Sequence, residues 1–218
     1  MEGSAEETPA PDTVGPVLDL APVLPVVTVE EAADAVPLAN ALVDGGLPAV
    51  EVALRTPAAL DAIRAVADEV PDAVVGAGSV LTPEQAEEAV AAGARFLVSP
   101  GSTGGLLAGL SAAGVPFLPG AATASEVMTL LEHGITDMKF FPAEPAGGVP
   151  YLRSLAGPLS AARFCPTGGV TNESALAYLA LPNVACVGGS WMMPPDALAA
   201  RDWARVTRLA QAAPRSAE

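Results

Sequence analysis

Lys139 is the only lysine in a chain of 218 residues, and it stands in Thr136-Asp137-Met138-Lys139-Phe140-Phe141-Pro142, an apolar run with the pattern of a strand meeting a proline. Lysines normally lie in water, and removing one to an apolar pocket is one of the few ways to present its amine as a neutral nucleophile at physiological pH. Every other basic side chain apart from the single histidine is an arginine, which keeps its proton and forms no Schiff base. Glu51, in Val50-Glu51-Val52-Ala53-Leu54-Arg55-Thr56, is the matching oddity, a carboxylate within a second apolar run. Two readings of the pair stay open on the residues alone: a structural ion pair, or a nucleophile beside its acid and base.

Two glycine-rich turns carry a second signal. Thr167-Gly168-Gly169 and Gly188-Gly189-Ser190 can expose backbone amides to a phosphate, although glycine pairs also serve as plain turns. Arg55 can clamp a carboxylate with its guanidinium, or simply be a solvated charge. The single histidine, His133, precedes Gly134 at an expected helix end and complements the helix dipole there. With the isolated Cys165 and Cys186 it makes no set of three ligands for a catalytic zinc, which disfavours a metal-dependent lyase.

The elements that must position these residues follow from an alternation of short apolar runs with Ala-rich segments of helical spacing, the pattern of repeated strand–helix units and a parallel sheet. Eight strands are expected, at 24–27, 49–53, 74–77, 96–99, 117–119, 137–141, 163–166 and 184–188. That number favours a single-domain α/β fold, the (β/α)8 TIM barrel, over an open doubly wound sheet. In such barrels active sites gather at the C-terminal ends of the strands, where Glu51, Ser79, Pro100, Lys139, Thr167 and Ser190 fall. Glu51 and Lys139 both belong to even-numbered strands, which contribute to the same interior layer, so they are expected to face each other. Thr56-Pro57 and Thr82-Pro83 are expected to open helices, and Thr123 to Glu126 to form a capping box. Gly45, Gly93, Gly114, Gly134 and Gly157 are expected to stop helices in the left-handed conformation.

Composition bounds the partners. Half of the residues are hydrophobic, enough for one full core, and residues 18–213 are expected to form it. Residues 1–17 read as an acidic disordered tail and 214–218 as a short C-terminal tail. A formal net charge of −15 argues against nucleic acid or an anionic membrane surface as a partner. The thiols read as buried and reduced, and the N-terminus lacks the features of a signal peptide, so the chain reads as cytoplasmic.

Together these stretches carry a resemblance. Val50 to Thr56, Gly76-Ala77-Gly78-Ser79-Val80-Leu81, Ser99-Pro100-Gly101, Lys139-Phe140-Phe141-Pro142-Ala143-Glu144, Arg163-Phe164-Cys165-Pro166-Thr167-Gly168-Gly169 and Gly188-Gly189-Ser190-Trp191 resemble, in order, the 2-keto-3-deoxy-6-phosphogluconate (KDPG) and 4-hydroxy-2-oxoglutarate (KHG) aldolases of class I. The resemblance implies that Lys139 is the Schiff-base lysine and Glu51 the general acid and base. It implies that Arg55 and Thr167 hold the substrate carboxylate, with Ser79 nearby where relatives usually have threonine, and that Pro100 and Phe141 pack on the pyruvoyl part. Gly168, Gly169, Gly189 and Ser190 would hold the phosphate. It further implies a homotrimer that needs no metal or organic cofactor, binds a phosphorylated keto acid and releases pyruvate. Ala53 and the turn Ser102-Thr103-Gly104-Gly105 depart from the usual family wording. The alternatives are an aldolase for the galactonate epimer, a phosphosugar isomerase or epimerase using Glu51 as base, and a non-catalytic phosphometabolite sensor.

Overall fold

The structure, a computed structural model, describes residues 17–214; the expected tails lie outside them except for Val17 and Pro214. The described residues form nine short strands and nine helices. The strands are β1 (Val23–Val27), β2 (Ala49–Ala53), β3 (Val74–Gly78), β4 (Leu97–Val98), β5 (Phe117–Leu118), β6 (Gly120–Ala121), β7 (Asp137–Phe140), β8 (Arg163–Pro166) and β9 (Val187–Gly189). The helices are α1 (Ala35–Asp44), α2 (Ala59–Glu69), α3 (Pro83–Ala91), α4 (Gly104–Ala112), α5 (Ala124–Glu132), α6 (Gly148–Leu155), α7 (Asn172–Leu179), α8 (Pro195–Ala199) and α9 (Trp203–Gln211). Strands and helices alternate except that β5 is followed directly by β6 and α8 by α9.

All strand pairs are parallel, in a six-stranded sheet of order β5-β4-β3-β2-β1-β9 and a three-stranded sheet of order β6-β7-β8. Two isolated parallel bridges, Phe164 to Val184 and Thr167 to Gly188, link the second sheet back toward β9. Between those bridges one strand advances three residues and the other four, the signature of a bulge. The expected eighth strand therefore begins late, at Val187 rather than Val184. The expected fifth strand is divided at Pro119, which has no N–H for a ladder: Phe117 and Leu118 pair with β4, while Gly120 and Ala121 pair with β7. The Pro119 carbonyl still accepts the amide of Lys139, at 3.0 Å.

Alternation along the strands separates two apolar layers. Val50 and Val52 of β2, Met138 and Phe140 of β7 and Phe164 of β8 pack outward against the helices. Leu24, Ala49, Phe96, Leu118, Cys165 and Cys186 form a second, interior cluster on the concave side of the curled sheet. A 3-10 turn, Val17–Asp19, closes that interior: Val17 and Leu18 are buried in it, and Asp19 pairs with Arg163 at the start of β8. Arg163 also lies 3.5 Å from Asp137 at the start of β7. The N-terminal ends of the strands are thus covered, and the opposite ends remain for a site.

Local chemistry sets most of the helix ends. Thr82 and Thr123 accept the amides of Gln85 and Glu126, and the Thr123–Glu126 capping box is complete. Thr56 caps nothing; its hydroxyl donates to the Val29 carbonyl at 2.5 Å, and α2 starts only at Ala59. Gly93, Gly114 and Gly134 adopt positive φ as expected, whereas at the end of α1 Gly46 does so in place of Gly45, and Gly157 does not. Cys165 and Cys186 are free and buried. No helix among the described residues is long and apolar enough to cross a membrane.

Candidate active site

The alternation that sends Val50 and Val52 outward turns Glu51 inward, and the same rule applied to Met138 and Phe140 turns Lys139 inward. The two meet across the interior, with Lys139 Nζ 2.9 Å from Glu51 Oε1, and they are 4% and 1% exposed. The second carboxylate oxygen of Glu51 is buried and has no hydrogen-bond partner among the described residues. A buried acceptor of that kind is a costly arrangement for a purely structural pair. Room for the carboxylate comes from Gly78, whose place would not admit a side chain: a Cβ there would lie 2.6 Å from Glu51 Cγ.

A cavity of about 320 Å3 is lined by Arg55, Phe141, Thr167, the Gly168–Gly169 turn, Gly189 and Ser190; neither Lys139 nor Glu51 lines it, and Phe141 is the wall residue that the lysine approaches. Lys139 Nζ sits 5.6 Å from the centre of the Phe141 ring. Arg55, after β2, donates from Nε to the Ser79 hydroxyl at 3.0 Å, so Ser79 reaches the site through Arg55 rather than through the cavity wall. Ser79 holds φ at 57°, in the left-handed region, and local strain of this kind concentrates at functional sites. Thr167 is buried beneath the cavity, its hydroxyl within reach of the Cys165 carbonyl (3.4 Å) and thiol (3.7 Å). The thiol of Cys186, beside Cys165, is held well above the ordinary range by its contact with Cys165 and by burial.

Pro100 does not line the cavity. Its carbonyl side packs against Gly120, the ladder partner of Lys139 on β6. Gly168 and Gly169 turn with φ of 101° and 83°, a conformation that glycine adopts without steric cost. His133 is the C-cap residue of α5 and is exposed. Among the described residues no three His, Cys, Asp or Glu side chains gather where they could hold a metal ion.

Two features escaped the reading of the sequence. Thr28 lines the cavity just past β1, and the rule that selected polar residues at strand ends applies to it equally. Glu144, in the loop after β7, accepts a hydrogen bond from the Tyr178 hydroxyl of α7 at 2.7 Å. No local spacing announces that pairing.

The sequence model of the aldolase family described as KDPG and KHG aldolase matches residues 14–209. The chain belongs to that family. It is 51% identical over 197 residues to the KHG/KDPG aldolase of Escherichia coli strain K12, covering 90% of this chain and 92% of the relative. The KDPG aldolase of Legionella pneumophila, solved with pyruvate captured as a covalent carbinolamine intermediate, superposes with a TM-score of 0.88 at 46% identity, covering 90% of this chain and 95% of that one. The Zymomonas mobilis ZM4 enzyme, solved with 3-phosphoglycerate, gives 0.85 at 49% identity, covering 90% and 92%. Against these family members the two divided sheets here describe the same curled parallel α/β arrangement.

Proposed function

We propose that the chain is a class I aldolase that cleaves 2-dehydro-3-deoxy-6-phosphogluconate to pyruvate and D-glyceraldehyde 3-phosphate, and 4-hydroxy-2-oxoglutarate to pyruvate and glyoxylate. The observation that carries the reading is the buried Lys139–Glu51 contact of 2.9 Å, with the lysine near Phe141, a wall residue of the cavity that Arg55 and two glycine turns also line. Family membership and a relative with pyruvate bound covalently support it. The bridges between β8 and the β9 line support closure of the strands into a (β/α)8 barrel. By the same family reading the enzyme is a cytoplasmic homotrimer.

In this mechanism the Lys139 amine, relieved of a proton along its hydrogen bond to Glu51, attacks the C2 ketone. Glu51 returns that proton to the carbinolamine hydroxyl, which leaves as water, and the resulting cationic imine draws electrons from the C3–C4 bond as Glu51, again a carboxylate, takes the C4 hydroxyl proton. The aldehyde leaves, Glu51 returns a proton to C3 of the enamine, and hydrolysis of the imine frees pyruvate and Lys139. Arg55 and Thr167 hold the carboxylate, Phe141 and Pro100 flank the pyruvoyl carbons, and Gly168, Gly169, Gly189 and Ser190 receive the phosphate.

The deciding test is incubation with pyruvate and borohydride, followed by mass spectrometry of peptides. A reduced pyruvyl adduct on Lys139 is expected; unmodified protein would remove the Schiff base, as an isomerase or a sensor on this fold would require. Ser190→Asp should raise KM for the phosphorylated keto acid far more than for 4-hydroxy-2-oxoglutarate. Equal effects on both would take Ser190 out of the phosphate site.

A further inference from the structure

Tyr178 is the largest fully buried side chain of the described residues, yet it carries a hydroxyl that the proposed chemistry does not use. That hydroxyl reaches across from α7 to the exposed carboxylate of Glu144. Burial and the Glu144 carboxylate both push the phenol well above its ordinary value, so it remains a donor. Glu144 in turn holds the glycine turn by two means. Its backbone amide donates to the Gly168 carbonyl at 3.0 Å, next to the bond from the Ala143 amide to the Thr167 carbonyl at 2.8 Å. Its stem lies against Gly169, where a Cβ would come 2.7 Å from Glu144 Cγ. Gly168 and Gly169 line the cavity and Glu144 does not, so the glutamate braces the turn from its outer side. The turn then leads through Thr171, the N-cap, into α7 itself, which makes a closed loop of turn, helix, tyrosine, glutamate and turn.

We propose that Tyr178 and Glu144 are positioning residues that hold the Gly168–Gly169 amides at the spacing a phosphate requires and keep the Glu144 charge on the far side of the turn. Without the tyrosine hydroxyl the carboxylate loses its tether, and the turn loses its support while gaining a mobile negative charge near a dianion. The inference rests on the proposed phosphate site and predicts a defect specific to phosphorylated ligands.

The test compares Tyr178→Phe, Glu144→Gln and Glu144→Ala with the parent on the phosphorylated keto acid and on 4-hydroxy-2-oxoglutarate, with inorganic phosphate as a competitive inhibitor of the latter. Tyr178→Phe and Glu144→Ala should raise KM for the phosphorylated substrate and Ki for phosphate roughly tenfold, the scale of a lost hydrogen bond to a charged group. Their kcat, and KM for 4-hydroxy-2-oxoglutarate, should stay within about twofold, because the interaction removed is one of ground-state binding. Glu144→Gln keeps an acceptor oxygen and should restore most of the affinity. Equal changes on both substrates, or a lower melting temperature with unchanged KM and Ki, would overturn the positioning role. Glu144→Ala changes an exposed side chain and gives the same readout should the buried Phe variant fold poorly. If phosphate fails to compete even with the parent enzyme, the phosphate site itself falls, and the proposal with it; competition in the parent with unaltered variants overturns the proposal alone.

Discussion

A Gly78→Ala substitution is expected to disable the enzyme through Glu51 without removing a functional group. The added Cβ would lie 2.6 Å from Cγ and 2.7 Å from Cδ of Glu51, about 1 Å inside the ~3.5–4.0 Å at which carbon atoms rest. Glu51 is 1% exposed and cannot retreat into water, so relief must come from moving its carboxylate or the backbone of β3. A shift of about 1 Å stretches the 2.9 Å contact with Lys139 Nζ beyond hydrogen-bonding range. Misplacement of a reacting group on that scale costs about 10²-fold in rate, and overpacking costs about 1–3 kcal/mol of stability. The assay is pyruvate release coupled to lactate dehydrogenase, with the melting temperature recorded in parallel. Gly157→Ala is the control, since nothing lies within 4 Å of a Cβ at that position, and it should match the parent in both measurements. A Gly78→Ala enzyme whose kcat/KM stays within about threefold of the parent would refute the view that the cleft beside β3 sets the position of Glu51.

Further outcomes follow from the same contacts. Lys139→Met should lower the denaturation midpoint, since one partner of a buried ion pair is removed at a cost of about 3–5 kcal/mol; adding Glu51→Leu should recover most of that loss, with neither variant releasing pyruvate. Glu51→Gln should depress turnover by about 10² to 10⁴ while borohydride still traps pyruvate on Lys139. The amide of Ala122, aided by the Thr123 hydroxyl and amide, holds the Glu126 carboxyl below its ordinary value against the opposing effect of burial. Its stabilisation is therefore present above the ordinary carboxyl range and lost as pH falls through the lowered value. Glu126→Gln should accordingly melt lower than the parent at neutral pH, with the gap closing in acid, as scanning calorimetry across that range would read.

Much of the site was legible because it depends on alternation. Val50-Glu51-Val52 and Met138-Lys139-Phe140 declare which residue of each strand faces inward, and β2 and β8 begin and end where their apolar runs do. The division of the fifth strand at Pro119 was hidden, because a proline at a strand end reads locally as a terminus. Only the two different neighbours, β4 and β7, show that the chain continues on the far side. Thr56 misled for a similar reason: a threonine before proline is an N-cap signal, but the Val29 carbonyl, 27 residues away, offered its hydroxyl a better partner. Glu144 and Tyr178 are separated by 34 residues, and no periodicity pairs residues across such a distance.

The turn at Val17–Asp19 has a consequence for how the molecule is made. Its apolar residues belong to the interior cluster, and its aspartate is held by Arg163, 144 positions further along. On a ribosome, which releases the N-terminus first, Val17 and Leu18 have no finished interior to enter until β8 has emerged. For most of synthesis this segment is an exposed apolar stretch waiting for its partner, and completion of the floor is among the last events of folding. Loss of the Asp19–Arg163 pairing should then appear less in the turnover of the finished enzyme than in the yield of chains that finish folding.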